Sequence, residues 1–503
     1  MVAKVMTVAL VGFDGALVEV ETDSKQGLPG IQIVGMGNKA IDEARERVRS
    51  AITNSLLEFP ARKLTINLAP AELPKDGAHY DLPIALSILI TNRILRQTEV
   101  DAAIFAGELG LDGTLRPIRG SINIAETAKR LGFRTVFVPV ANQSQAALIT
   151  DIEVIGVATL KDLYLHLKQE VVITPYISLQ NPPFTPVGPR LDDIYGQDQA
   201  KRALQIATAG RHNILFSGPP GAGKTLLAKT LVSLLPPLSN TEAVAVTKLH
   251  SLAGEIEGSV LSTRPFRAPH HTTSRISLIG GGSKPNPGEI SLAHLGVLFL
   301  DELPEYPRAT LEALRQPLED KEIAISRSHG RVTYPADFML VATMNPCPCG
   351  YYGDSSRECS CSSVQITAYQ KRLSGPLLDR IDLIVPVSKL ANESLFSVKS
   401  LNKNQHLKVL KSIMNANSVQ HKRYNSSTRY NASLSSQEVK QYVQLDPTAK
   451  ALLLSATERL GLTARGYFKA IKVAQTIADL AGSDIVRVEH IAESLQFRTT
   501  LNT

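Results

Sequence analysis

Gly218-Pro219-Pro220-Gly221-Ala222-Gly223-Lys224-Thr225 is a complete G-x-x-x-x-G-K-[ST] loop, and its chemistry is phosphate binding. Glycines let successive backbone N–H groups curl around phosphate oxygens, and a helix that follows adds the positive potential of its N-terminus. Lys224 is placed to reach the β- and γ-phosphates of a nucleotide such as ATP, and the Thr225 hydroxyl to hold Mg²⁺. A glycine-rich turn before a helix can look similar, so the setting decides. The apolar run Asn213-Ile214-Leu215-Phe216 precedes the loop and the helix-like Leu226-Leu227-Ala228-Lys229-Thr230-Leu231-Val232 follows it. Strand, glycine loop and helix in that order are what the motif requires.

Residues further along add hydrolytic chemistry. Val297-Leu298-Phe299-Leu300 has the continuous apolar character of a buried parallel strand and ends in Asp301-Glu302. Asp301 is placed to support Mg²⁺ and Glu302 to polarise an attacking water. Either acid alone would pass for the solvated cap of a core strand; both together after a phosphate loop point to hydrolysis. A third apolar strand, Phe338 to Met344, ends at Asn345, whose amide can orient the water or touch the γ-phosphate. Gly375-Pro376-Leu377-Leu378-Asp379-Arg380-Ile381-Asp382 carries an arginine where a neighbouring subunit's γ-phosphate could be met, and Gly461-Leu462-Thr463-Ala464-Arg465 opens a helix with another.

All four cysteines fall in one window, Cys347-Pro348-Cys349 and Cys359-Ser360-Cys361. Four thiolates are the complement of a tetrahedral structural Zn²⁺ site; two disulfides are the alternative, disfavoured in a reducing compartment. His270 and His271 are candidate ligands or simply loop residues.

The elements that must position these groups belong to a soluble globular chain of 503 residues, 43% hydrophobic and 20% charged. No leader and no membrane-length apolar stretch is visible, and a cytoplasmic location is expected. The net charge is +7. From Ser394 to Gln437 there is no acid, while Lys399, Lys403, Lys408, Lys411, Lys422, Arg423 and Arg429 accumulate. That stretch is either solvated, partly mobile polar surface or a nucleic-acid contact. Residues 1–172 mix alternating strands (Ala16 to Val20, Lys63 to Leu68) with helices (Asp42 to Leu57, Ile122 to Leu131). Residues 173–190 hold five prolines and read as a linker. Residues 191–388 form the α/β nucleotide-binding core, and 389–503 are helix-rich, with helices Pro447 to Leu460, Arg465 to Leu480 and Val488 to Leu495.

Asp301-Glu302, Asn345, Arg380 and Arg465, in this order, resemble the Walker B, sensor 1, arginine finger and sensor 2 of AAA+ ATPases. The wider text (Arg267-Ala268-Pro269-His270-His271-Thr272, Gly280-Gly281-Gly282, Pro287-Gly288-Glu289-Ile290-Ser291-Leu292-Ala293-His294 and Asn345-Pro346-Cys347-Pro348-Cys349-Gly350) resembles the YifB/ComM family over nearly the whole chain. That family is related to the magnesium chelatase ATPase subunit and, more distantly, to MCM helicases. The resemblance implies an AAA+ core with a helical lid, an insert around His270–Gly288, and a hairpin near Ile323–Val332. Arg327 and Arg331 on the hairpin, with Lys284, are then candidate DNA contacts.

In the first domain Pro74-Lys75-Asp76-Gly77-Ala78-His79 resembles the segment that carries the serine of Lon-type proteases, with His79 in the serine's place. Ile122 stands where the lysine should be. Without that pair no Ser–Lys acyl chemistry runs, so a Lon-like α+β domain lacking peptidase activity is expected; in the DNA-repair protein RadA a similar domain serves assembly and DNA contact. The resemblance implies a homo-oligomeric, hexameric ring motor on single-stranded, duplex or branched DNA, a helicase-like translocase for branch migration in natural transformation. The alternative it leaves open is remodelling of a protein partner in the manner of magnesium chelatase, although no metal-ion-binding adhesion domain is fused here.

Overall fold

The computed structural model describes residues 2–35, 39–177, 188–256, 258–282, 286–327, 330–354, 357–389 and 404–498. Most of the proline-rich 173–190 segment, Lys284, Lys399 and Lys403 lie outside them, as does the side chain of Arg327.

A seven-stranded mixed sheet comes first. Its order is Gly30–Val34, Lys63–Ala69, Asp14–Lys25, Ala3–Val11, Ala103–Phe105, Thr135–Pro139, Glu153–Val157. The long antiparallel pair of Ala3–Val11 with Asp14–Lys25 alternates inward and outward residues, so one face can be buried against helices. The helix Asp81–Thr91 fills that face: Asp81 through Ile90 are all buried, as expected of a helix apolar on every side. His79 and Lys75 sit just before it and are buried too.

The second sheet has five strands in the order Phe266–Arg267, Val297–Leu300, Met339–Met344, Ile214–Ser217, Leu383–Pro386, every pairing parallel. Val297–Leu300 and Met339–Met344 are buried throughout, which is why they read as unbroken apolar runs. Ile214–Ser217, the first of these strands in the chain, lies between Met339–Met344 and Leu383–Pro386, and α/β sheets bind ligands at the carboxyl ends of such strands. The expected hairpin is present: Glu322–Arg327 pairs antiparallel with Gly330–Pro335. The insert is represented by the helix Arg275–Ile279 and the pairing of Gly280–Gly281 with Asn286–Pro287. The family text around it has a packing reason. Arg267 forms ion pairs with Glu289 at 2.7 Å and Glu255 at 2.9 Å, fastening two of the quoted segments together.

The C-terminal helices Pro447–Leu460, Ala464–Ala481 and Val488–Gln496 surround a core of Leu453, Ala470, Ile471, Ala474, Ala478 and Ile491. Gly461, with φ 59°, closes the first, and the Thr463 side chain caps the second by accepting from Gly466 N–H. Arg465 is thereby fixed in a first helical turn. The basic stretch, open between polar surface and a nucleic-acid contact, holds a helix, Gln405–Tyr424, that buries Ile413, Ala416, Gln420 and Tyr424. Its buried face recurs at three- and four-residue spacing, but polar residues at 417 and 420 hide the pattern from a count of apolar residues. Among the described residues no helix is long and apolar enough to cross a membrane.

Three segments of the first sheet region dock on the ATPase core. Lys248 of the helix Asn240–Ala253 pairs with Glu126 at 2.5 Å and lies 4.0 Å from the Phe13 ring centroid. Gln145 donates to the Ser259 carbonyl at 2.9 Å, and Gly120 N–H donates to Ser251 Oγ at 3.1 Å.

Burial pushes the His79 imidazole down to about 4, against the hydrogen bond its Nε2 makes to the Val8 carbonyl at 3.0 Å. The ring is neutral when folded and takes up a proton on unfolding below its ordinary value of 6.5. The stability it lends is complete above pH 6.5 and drains away as pH falls towards 4, on the order of 3 kcal/mol in all. In thermal unfolding of the full chain, His79→Gln should flatten the loss of stability between pH 6.5 and 4 by about one proton's worth of slope; an unchanged slope would contradict this.

Candidate active site

The phosphate loop leaves the carboxyl end of Ile214–Ser217 and runs into the helix Lys224–Leu234. Gly221 and Gly223 have φ of 78° and 86°, a conformation in which an L side chain is strained. Gly218 is required for a different reason: a Cβ there would stand 2.0 Å from the Val387 carbonyl oxygen. The Lys224 ammonium reaches Asn345 Oδ1 at 2.9 Å and the carbonyls of Gly218 and Pro219 at 2.5 and 3.0 Å. Burial lowers its pKa, while Asp301 and Glu302 nearby raise it.

Asp301 and Glu302 lie where the sequence places them, at the end of Val297–Leu300. Thr225 Oγ1 stands 3.4 Å from Asp301 Oδ2, so hydroxyl and carboxylate converge on one spot fit for a small, hard cation. Glu302 leaves the strand with φ 52° and ψ 53°, a left-handed turn costing about 1–3 kcal/mol for a non-glycine residue. A residue that the sequence reading missed holds both acids: Thr343, fully buried in Met339–Met344, accepts from the Glu302 N–H at 3.0 Å and donates its hydroxyl to Asp301 Oδ1. A lone hydroxyl inside an apolar strand, beside the strand that bears the acids, was the available signal.

The four thiols gather as expected. Their sulfurs lie within 4.8 Å of one another, with Cys347 3.3 Å from Cys349 and 3.7 Å from Cys359. The Tyr352 and Cys349 backbone N–H groups donate to Cys347 and Cys361 sulfur at 3.3 and 3.4 Å, the bonding that stabilises thiolate ligands. All four cysteines are free rather than disulfide-bonded, and His270 and His271 stack on each other outside the cluster. The cluster abuts the phosphate loop: a Cβ on Gly350 would stand 2.7 Å from Pro220. Cys347 follows Asn345 by two residues.

Arg380 and Arg465 meet elsewhere. Asn213, the residue before Ile214–Ser217, donates its Nδ2 to the Arg380 carbonyl at 2.9 Å and accepts from the Leu340 N–H at 2.8 Å. The Arg380 backbone is therefore tied to the amino end of Ile214–Ser217. The loop that binds phosphate leaves its carboxyl end five residues on, roughly 16 Å at the rise of a strand. Arg465 stands beside Arg380, both on Glu319. Arg331 is exposed on the hairpin, opposite Ser326.

This architecture and these motifs match the family descriptions "Magnesium chelatase, subunit ChlI" over residues 190–395, "Subunit ChlI of Mg-chelatase" over 20–142 and "Magnesium chelatase, subunit ChlI C-terminal" over 404–498. YifB of Escherichia coli K12 is 42% identical over 501 residues, 98% of this chain and 96% of its own length. Competence protein ComM of Haemophilus influenzae is 41% identical over 502 residues, 99% of this chain and 97% of its own. The chain belongs to the YifB/ComM family. As a member it is a magnesium chelatase-like AAA+ ATPase, a class that works on ATP and Mg²⁺. This YifB/ComM chain also resembles the Lon protease of Mycolicibacterium smegmatis, 29% identical over 143 residues, 27% of this chain and 18% of the protease.

Thr343→Val keeps the volume of the side chain but leaves the Glu302 N–H and the Asp301 carboxylate without their shared partner. Misplaced by a fraction of an ångström, the acids should turn over ATP about 10- to 100-fold more slowly. Nucleotide binding, followed with a fluorescent ATP analogue, should stay within about 3-fold of wild type, because the loop itself is untouched.

Proposed function

We propose that this chain is a subunit of a hexameric ATP-driven ring that moves branched DNA during recombination in natural transformation. The observation that carries the ring is the placement of Arg380. Its backbone is bound to the amino end of Ile214–Ser217, whereas its own phosphate loop leaves the carboxyl end. An arginine so placed stabilises a transferring phosphoryl group only when the phosphate belongs to a neighbour.

In this reading Lys224 binds the β- and γ-phosphates, and Thr225 with Asp301 holds Mg²⁺, which supplies neutralising charge at the phosphates. Glu302 polarises the attacking water, Asn345 orients it, and Arg380 and Arg465 of the next subunit meet the charge that develops. Support for DNA comes from the printed name of the Haemophilus relative, a competence protein, from the net charge of +7, and from Arg331 on the hairpin. Such residues, with Arg327 and Lys284, would grip a phosphate backbone without reading bases. The first domain, residues 1–172, would act in assembly rather than proteolysis. His79 is buried and neutral at the place of the Lon serine, and the buried Lys75 ammonium is spent on the Pro70 carbonyl. The four thiols would hold a structural Zn²⁺.

A second reading, remodelling of a protein partner, is favoured by the magnesium chelatase matches over three stretches of the chain. ATPase indifferent to single-stranded, duplex and branched DNA, with no movement of a four-way junction, would select it over the first.

Arg380→Ala and Lys224→Ala should each abolish most ATPase alone. Mixed, they should recover a substantial fraction, because Lys224→Ala subunits still present their arginines to intact loops. No recovery in mixtures shown to co-assemble would sink the shared site.

Purified protein should contain about one zinc per chain by mass spectrometry, and Cys359→Ser with Cys361→Ser should lose it. Because the cluster sits two residues from Asn345, the double variant should also melt several degrees lower; metal-free wild type of unchanged melting temperature would refute the site.

A further inference from the structure

Arg380 and Arg465 come from distant parts of the chain, yet their guanidinium groups reach the same oxygen, Glu319 Oε1, at 2.5 and 3.1 Å. Glu319 lies on the short helix Arg315–Asp320. That helix grips Arg380 a second time, because the Arg315 carbonyl accepts from Arg380 Nε at 3.2 Å; the Pro376 carbonyl accepts from another of its nitrogens at 2.5 Å. Arg380 is nearly covered, with 9% of its side chain exposed, while Arg465 keeps 59%. Two cations this close repel one another unless a carboxylate lies between them.

We infer that Glu319 is a positioning residue for ATP hydrolysis, holding Arg380 and Arg465 as a preformed pair aimed at the phosphate of the adjoining subunit. This rests on the reading above that the arginines act across the subunit boundary. Glu319 itself touches neither nucleotide nor water in that scheme. Its contribution is preorganisation: donors already fixed when charge develops need no rearrangement at the moment of reaction. Arg380 retains two carbonyl acceptors without Glu319, so it keeps a defined direction. Arg465 has no second ion pair among the described residues and would swing away.

The experiment compares Glu319→Gln, Glu319→Ala and Glu319→Asp in the full chain, with ATPase, nucleotide binding and oligomeric state measured for each. We expect kcat to fall about 10-fold or more in Gln and Ala, with KM within about 3-fold, and Asp to restore part of the loss. Mixing Glu319→Gln with Lys224→Ala subunits should raise ATPase, since the latter present a correctly held pair to an intact loop. A residue that merely supported its own subunit's site would show no such rescue. Wild-type or raised kcat in Glu319→Gln overturns the proposal, as does failure of rescue where Arg380→Ala with Lys224→Ala does recover. If that last mixture also fails, the shared-site reading has fallen instead.

Discussion

A parallel sheet has two unlike ends, and this chain places a different set of candidate site residues on each. At the carboxyl ends of Ile214–Ser217, Val297–Leu300 and Met339–Met344 stand the phosphate loop, the two acids and Asn345. At the amino end of Ile214–Ser217, Asn213 holds the backbone of Arg380. No side-chain rotation closes a gap set by strand length. In the shared site proposed above, the polarity of the sheet is what makes each subunit complete only in company, and the other features of the fold can be understood as fixing these two ends.

At the carboxyl end the fixing is polar and buried. Thr343 serves two masters, one backbone and one carboxylate, and Asn345 at the end of the same strand receives Lys224. Strand Met339–Met344 is thus the reference against which loop and acids are aligned. The thiol cluster begins immediately beyond it and leans on Pro220, so the same strand is braced from outside. At the amino end the fixing is ionic and partly exposed, with Glu319 as the shared counter-charge. The two arginines differ there: Arg380 is nearly covered, whereas Arg465 stays mostly exposed.

Much of this was legible in the sequence because parallel strands are buried on both faces and appear as unbroken apolar runs ending in the reactive residue. Asp301, Glu302 and Asn345 could be placed that way, and the glycine loop by its spacing. Thr343 escaped because one hydroxyl among apolar neighbours has no periodic signature. Glu319 escaped because its meaning comes from two residues far along the chain, and only folding brings them to one oxygen. The helix Gln405–Tyr424 was missed for a third reason: its hidden face is built partly from Asn417 and Gln420, buried polar groups that a hydropathy pattern counts as exterior.

One contact sets how closely the first sheet can approach the hairpin of the second. Gly12, at the turn between the two longest strands of the first sheet, lies so close to Val332 on the hairpin that a Cβ would stand 2.4 Å from a valine methyl. The hairpin therefore rests against a rigid seven-stranded slab on one side. Its Ile323, Ile325 and Tyr334 are buried in one core with Leu298 and Leu340 of the second sheet, so the hairpin is wedged between the two sheets. The missing side chain at position 12 sets the clearance between the first sheet and the hairpin.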